Sequence, residues 1–370
     1  MASKGTMAAI VIVIIAVAAG GAYVIMFNPF GPTTNPYDVA VVFATGGLGD
    51  KSFNDGVYTG LEQAATDFDI AFTYAEPTAI ADYEGFIRGF AQHAQYIEPY
   101  DLILCVGFDQ EVALQTVANE STDQKFAIID MYIDPIVYPN VASLLFNANE
   151  GSALVGAVAG LMTTTGKIGF VGGDNIDLIN NFAAGYVFGA GYVNPELNGS
   201  TNIAANVSIG YTYDWVDTTA GQTLADGMYD AGTDIIFAAA GRSGLGVFDS
   251  VKDKNTTSSV PLWVIGVDSP QMYYGCADPN NPAPPTLCLT SMLKRVDVAT
   301  HKIIEDWVVD GTWHTGFDLI YTFKLSNGGV GYEINTALLT LPTSVTNAVD
   351  AFKAEIVAGN VTVPGAIYWT

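Results

Sequence analysis

The sequence predicts an α/β protein of two Rossmann-like lobes with hinge crossovers, preceded by one N-terminal transmembrane helix. Three observations carry that expectation. Short apolar runs alternate with segments whose apolar residues recur at helical spacing, the pattern of a parallel sheet with helices on both faces. The series restarts near residue 149 and runs again for a similar length. The chain has 370 residues, half of them hydrophobic, enough for two lobes of ordinary size.

In the first series, strands are expected at Val39–Ala44, Ile70–Tyr74, Leu102–Val106, Phe126–Ile129 and Val141–Phe146. The helices between them end at Phe68 or cover Tyr83–Tyr96 and Glu111–Asn119. The second series opens with a small-residue helix from Asn149 to about Met162. It continues as strands Lys167–Val171, Ala204–Gly210, Asp234–Ala238 and Leu262–Val267, with helices Leu178–Val193, Gly221–Ala231 and Leu245–Lys252. The remainder, with helices near Val296–Val309 and Ser344–Val357, is too short for a third domain and reads as crossovers. The expected division is a leader (1–5), an apolar helix (6–27), a linker (28–37), lobe I (38–148 with 269–315) and lobe II (149–268 with 316–370).

The strand-to-helix turn Thr45-Gly-Gly-Leu-Gly-Asp50-Lys-Ser-Phe53-Asn54 stands out. Such turns lie at the carboxyl edge of an open sheet, where ligands bind. Ser52 and Asn54 both suit a helix cap. Phe53 is a large aromatic in a polar turn, and two readings stay open: it tucks under the helix, or it offers a platform to a flat ligand.

Gly49-Asp50-Lys-Ser-Phe53-Asn54 resembles the GG-x-D-D-K-S-F-N signature of the basic-membrane-protein family. These are substrate-binding lipoproteins of ABC transporters whose best-understood members bind purine nucleosides. Further blocks resemble the family in order: Phe126-Ala-Ile-Ile-Asp130, Asn140-Val-Ala-Ser143, Lys167-Ile-Gly-Phe-Val-Gly-Gly173, Gly244-Leu-Gly246 and Gly266-Val-Asp268. The chain departs from the pattern in having Gly49 where the family has Asp, and Ala44 where it often has Asp. The resemblance runs from about Val39 to Lys324 and implies a type I periplasmic-binding-protein fold, with ligand held between hinged lobes.

The candidate binding residues are Asp50, Ser52, Phe53, Asn54, Gly107, Phe108, Asp130, Trp215, Gly241, Asp268 and Lys294. Gly107-Phe108, Asp130 and Asp268 directly follow expected strands. Each Asp suits a sugar diol as an acceptor, or caps a turn; the resemblance implies that Asp130 and Asp268 hold sugar or base. Trp215 matches a family aromatic that faces the Phe53 equivalent across the ligand; otherwise it is a packed interdomain Trp. Lys294, in Thr290-Ser-Met-Leu-Lys294-Arg295-Val, matches a family Lys that reaches the ligand, and it would also balance a nearby carboxylate.

Composition narrows the alternatives. The formal net charge is −25 with only 13 Lys+Arg, so there is no basic stripe for nucleic acid. Gly166-Lys167 lacks a P-loop frame, Gly241-Arg-Ser-Gly-Leu-Gly246 lacks dinucleotide spacing, and no serine sits in a G-x-S-x-G elbow. His93, His301 and His314 have no metal-ligand spacing. No enzyme, cofactor or metal is expected.

Thr6 to Phe27 carries no charge over 22 residues, enough to span ~30 Å of hydrocarbon as a helix. Lys4 favours a cytoplasmic N-terminus. Lys4-Gly5 before an apolar helix resembles the class III, pilin-like signal of archaeal surface proteins, which implies cleavage after Gly5; an uncleaved signal anchor is the alternative. The rest is then extracellular, joined by the Pro-rich linker 28–37. Asn119, Asn198, Asn206, Asn255 and Asn360 open N-x-S/T sequons. In an oxidising compartment Cys276 and Cys288 would close the loop between them by a disulfide, while Cys105 lies in an apolar strand as a buried thiol.

The reading is an extracellular, membrane-tethered solute-binding protein that captures a nucleoside, a purine by resemblance, for an ABC permease and its ATPase. The alternative is a structural surface or filament subunit that self-assembles through the pilin-like helix.

Overall fold

The computed structural model describes residues 12–18, 21–27, 37–93, 98–197 and 206–366. The leader, the pilin-like start, the linker up to residue 36 and Asn198 lie outside the described residues. Of the expected helix over 6–27, residues 6–11, 19 and 20 also lie outside. What is described there differs from expectation: β1 (Ile12–Ala18) and β2 (Gly21–Phe27) pair as antiparallel strands, Ile12 opposite Phe27. No helix among the described residues is long and apolar enough to cross a membrane.

The chain folds as two compact units. The first comprises Met1–Gly47, Leu61–Ser143 and Thr300–Ile320. Its sheet has β3 (Tyr37–Val42) flanked in parallel by β4 (Ile70–Ala75) and β5 (Leu102–Val106), and β5 paired in turn with β6 (Phe126–Ile129). The sheet continues through β7 (Val141–Phe146) to β13 (Ile320–Phe323). Every residue of β5 and β6 is buried, as expected of parallel strands covered on both faces.

The second unit comprises Leu48–Gly60, Leu144–Ala299 and Tyr321–Thr370. Its sheet runs β14 (Val330–Tyr332), β12 (Cys288–Lys294), β11 (Trp263–Asp268), β10 (Ile235–Ala239), β8 (Ile168–Gly172) and β9 (Val207–Tyr211). This corrects the expected division. Residues 269–299 go with the second unit because β12 pairs in parallel with β11, Thr290 opposite Ile265. Helices α4 (Ala148–Met162) and α5 (Asp177–Val193) cross backbone to backbone. A Cβ at Gly156 would collide with the Tyr186 carbonyl, and one at Gly185 or Gly189 with the carbonyls of Asn149 or Ala153.

The disulfide expectation is also corrected. Cys276 and Cys288 are free buried thiols, as is Cys105. The Cys288 thiol instead meets the Thr290 carbonyl at 3.1 Å, and its apolar surroundings push its pKa up. Of the sequon asparagines, Asn119 and Asn360 are exposed. The Asn255 amide is committed to the carbonyls of Val251 and Leu262, and that of Asn206 donates to the Glu196 carbonyl at 3.2 Å.

Candidate functional site

In the second unit the site is built around the turn before α1 (Phe53–Phe68). Asp50, only 5 % exposed, caps that helix. Its carboxylate accepts from the backbone N–H groups of Ser52 (2.9 Å), Asn54 (2.8 Å) and Asp55 (3.1 Å), donors that a helix start leaves without intrahelical partners. Burial raises the Asp50 pKa, and these three donors act against the shift. The cap expected of Ser52 or Asn54 is thus supplied by Asp50, and the Asp50 carboxylate faces the backbone.

Ser52 is fully buried and donates its hydroxyl to Asp268 at 2.6 Å. Asp268 directly ends β11 with φ 62°, a left-handed conformation that Asp tolerates better than most residues. The turn and the strand end are laced further. Ser269 donates to the Ser52 carbonyl at 2.8 Å, and Gln271 donates through Nε2 to the Lys51 carbonyl at 2.8 Å. These bonds explain why Leu48–Gly60, expected in lobe I, groups with the second unit. Phe53 and Trp215, expected from different lobes, therefore both belong to it.

Below this lies a buried polar network that sequence reasoning missed. One carboxylate oxygen of Glu333 accepts from Gln271 N–H (3.0 Å), Met272 N–H (3.1 Å) and the Ser291 hydroxyl (2.8 Å). Burial raises the Glu333 pKa, against the pull of those donors. Gln271 also accepts from Val267 N–H at 2.9 Å, so one side chain ties β11 to the Lys51 turn. Lys294, ending β12, is 3 % exposed, with its ammonium 5.1 Å from the centre of the Phe53 ring. A cavity of about 550 Å³ is lined by Lys51, Asp55, Asp268, Tyr273, Lys294 and Arg295 among others. That volume falls in the range of small-molecule sites. Neither Phe53 nor Trp215 is on its wall.

Trp215 lies elsewhere in the same unit. Its indole packs on Gly173, where any Cβ would collide with the ring, while the residue stays half-buried. Its carbonyl accepts from Ser243 N–H at 3.2 Å, within the turn that Gly241 (φ 55°) opens after β10. Arg242 of that turn donates to the Leu48 carbonyl at 3.0 Å. Trp215 and Gly241 are thus brought together. Asp217 caps the following helix, Thr218–Asp230, by accepting from Ala220 N–H at 2.9 Å.

In the first unit, Gly107, Phe108 and Asp130 stand at the ends of the adjacent strands β5 and β6. Gly107 has φ 109° and Asp130 φ 67°. Phe108 is half-buried and opens a short 3-10 turn ending at Gln110, whose amide bonds the carbonyls of Val42 and Val106 at 2.8 Å each. Beside them Tyr83 donates its hydroxyl to Asp109 at 2.9 Å and accepts from Thr45 N–H at 2.8 Å. Burial raises the pKa of both side chains. Sequence reasoning did not single out this trio; the position of Asp109 just after a strand was the available signal.

Comparison with known proteins agrees with this architecture. Residues 37–366 match the Bmp family profile, described as ABC transporter substrate-binding protein PnrA-like. The ABC transporter nucleoside-binding protein BmpA of Lactococcus lactis subsp. cremoris is 31 % identical over 340 residues, covering 90 % of this chain and 91 % of that one. An uncharacterized lipoprotein of Pyrococcus abyssi is 34 % identical over 297 residues, covering 80 % and 68 %. In crystal structures, an ABC transporter solute-binding protein from Aeropyrum pernix K1 superposes with TM-score 0.73 at 28 % identity, covering 89 % and 94 %. The two units thus make up a two-lobe, type I periplasmic-binding-like fold, and the chain belongs to the Bmp family of PnrA-like ABC transporter substrate-binding proteins.

Proposed function

We propose that this chain captures a purine nucleoside outside the cell, tethered by its N-terminal segment, and delivers it to an ABC permease and its ATPase. The carrying observation is an acceptor and a donor, each held in place, that line one cavity. The Asp268 carboxylate is held by Ser52, and the Lys294 ammonium is held over Phe53. A carboxylate and an ammonium suit the hydroxyls and ring nitrogens of a nucleoside, and a phenyl face suits its base. The name of the Lactococcus relative gives the same ligand class for that protein. On this reading Asp130, Gly107, Phe108, Trp215 and the Gly241 backbone complete the ligand shell. Binding is reversible and no reaction follows. The filament reading rests on a helix over 6–27, of which residues 12–18 and 21–27 form strands, and gains no support.

Titration calorimetry of the purified chain against purine and pyrimidine nucleosides tests this. Heat is expected with purine nucleosides, with affinity at least tenfold weaker in Asp268→Asn. Binding of a sugar or amino acid, with no heat from any nucleoside, would sink the reading.

A further inference from the structure

Three rings, not one, surround the Lys294 ammonium: Phe53 at 5.1 Å, Phe146 at 5.2 Å and Phe182 at 5.5 Å from Nζ to ring centre. Phe53 opens α1, Phe146 ends β7, Phe182 lies in α5 and Lys294 ends β12, so four elements converge on one charge. Two of the rings are themselves backed. Phe146 stacks on Phe323 at 5.0 Å, and Phe182 leans on Phe237 at 6.4 Å.

We propose that Phe146 and Phe182 are positioning residues of the ligand site: with Phe53 they cage the Lys294 ammonium and set its place beside Asp268. As a statement about ligand binding, the proposal rests on the nucleoside reading above. A ring face attracts a cation through its quadrupole, and the attraction grows when water is excluded, as it is around this buried lysine. Three faces at similar distances act on the charge together. The other charges lining the adjoining cavity are Asp268, Lys51, Asp55, Arg295 and Asp297. They include both signs, and the rings add a restraint on the ammonium that does not depend on the sign of its neighbours.

If the rings were only core, leucine would replace them with a general loss of stability and no specific link to Lys294. A cage makes two different demands. Without any ligand, the Lys294 ε-methylene resonance, observed with labelled lysine and assigned by Lys294→Arg, should lie upfield from ring currents. It should move toward exposed lysines in Phe146→Leu and Phe182→Leu, and stay upfield in Phe146→Tyr. With inosine as probe, each leucine variant should bind about three- to thirtyfold more weakly. In a Lys294→Met background the same changes should cost less than about twofold, because coupled residues are not additive. An unmoved resonance in both leucine variants overturns the cage. Losses of equal size with and without Lys294 overturn the positioning role. A resonance that moves as expected in a protein that binds no nucleoside rejects the ligand reading and supports the cage.

Discussion

The carboxyl edges of the two sheets carry the same device with different support. In each, an aspartate directly after or at the end of a strand takes a left-handed backbone: Asp130 at φ 67° in the first unit, Asp268 at φ 62° in the second. Under Asp268 lies a laced polar layer, Ser52, Gln271, Ser291 and Glu333, reaching three stretches far apart in sequence. In the first unit Tyr83 stands between Thr45 and Asp109 and joins the stretches that follow β3 and β5. The contrast separates two uses of a carboxylate. Asp50 and Glu333 spend their acceptors on backbone donors and hold the chain, whereas Asp130 and Asp268 stand half-buried at strand ends and belong to the proposed ligand shell.

The strongest way to break the comparison is Glu333→Ala. It would leave the Gln271 and Met272 N–H groups and the Ser291 hydroxyl without their shared acceptor in a buried place. A loss of about 3 kcal/mol or more in urea unfolding is expected, since each unsatisfied buried group costs ~1–3 kcal/mol. A loss under ~1 kcal/mol would show that water replaces the carboxylate and that the second edge is no more rigidly built than the first.

Next come the rings. Phe53→Ala and Trp215→Ala should each weaken nucleoside binding by about tenfold to a hundredfold, or ~1–3 kcal/mol. Phe53→Ala should melt close to wild type. Trp215→Ala also empties the surface of Gly173, so a modest fall in melting temperature is expected with it. Full affinity in either variant would remove that ring from the ligand shell. A stability loss of several kcal/mol for Trp215→Ala would make it a core residue instead.

Much of the fold was legible because parallel strands buried on both faces are plain apolar runs; β5 and β6 have the expected bounds. The fate of 269–299 was not legible, because it depends on which strand β12 pairs with, and either unit could have offered an edge. The site was legible where chemistry sits beside the chain's own turn, as with Ser52, Phe53 and Asp268. Glu333 and Gln271 meet across 62 positions, and nothing local marks them. Phe146 and Phe182 read as ordinary core residues until the ammonium is seen among them. The Cys276–Cys288 pairing failed because proximity of two thiols in sequence says nothing about where each sulfur points.

The smallest expected effect is on pH dependence. Asp50, Asp109 and Glu333 all have folded pKa values raised mainly by burial. The folded state then holds more protons than the unfolded one between the ordinary carboxylate range and the raised values. In that window stability falls as pH rises. Urea unfolding at constant ionic strength should therefore show stability increasing on mild acidification from pH ~7, levelling off in the ordinary carboxylate range. A steady loss over that interval would mean that ionised carboxylates elsewhere, held by favourable partners, dominate.

The glycine contacts between α4 and α5 bear on the rings around Lys294 from a distance. Because the helices touch through main-chain atoms at Gly156, Gly185 and Gly189, no rotamer change can widen or narrow the gap between them. Gly185 lies one turn along α5 from Phe182, so the bearing of that ring is indexed to a spacing set by hydrogen atoms. On the proposed reading, the residues around Lys294 could be exchanged one by one, but the α5 frame that carries Phe182 offers no such adjustment. A lineage that needs the Lys294 ammonium in another place must alter Phe182 itself, since its helix has no room to shift.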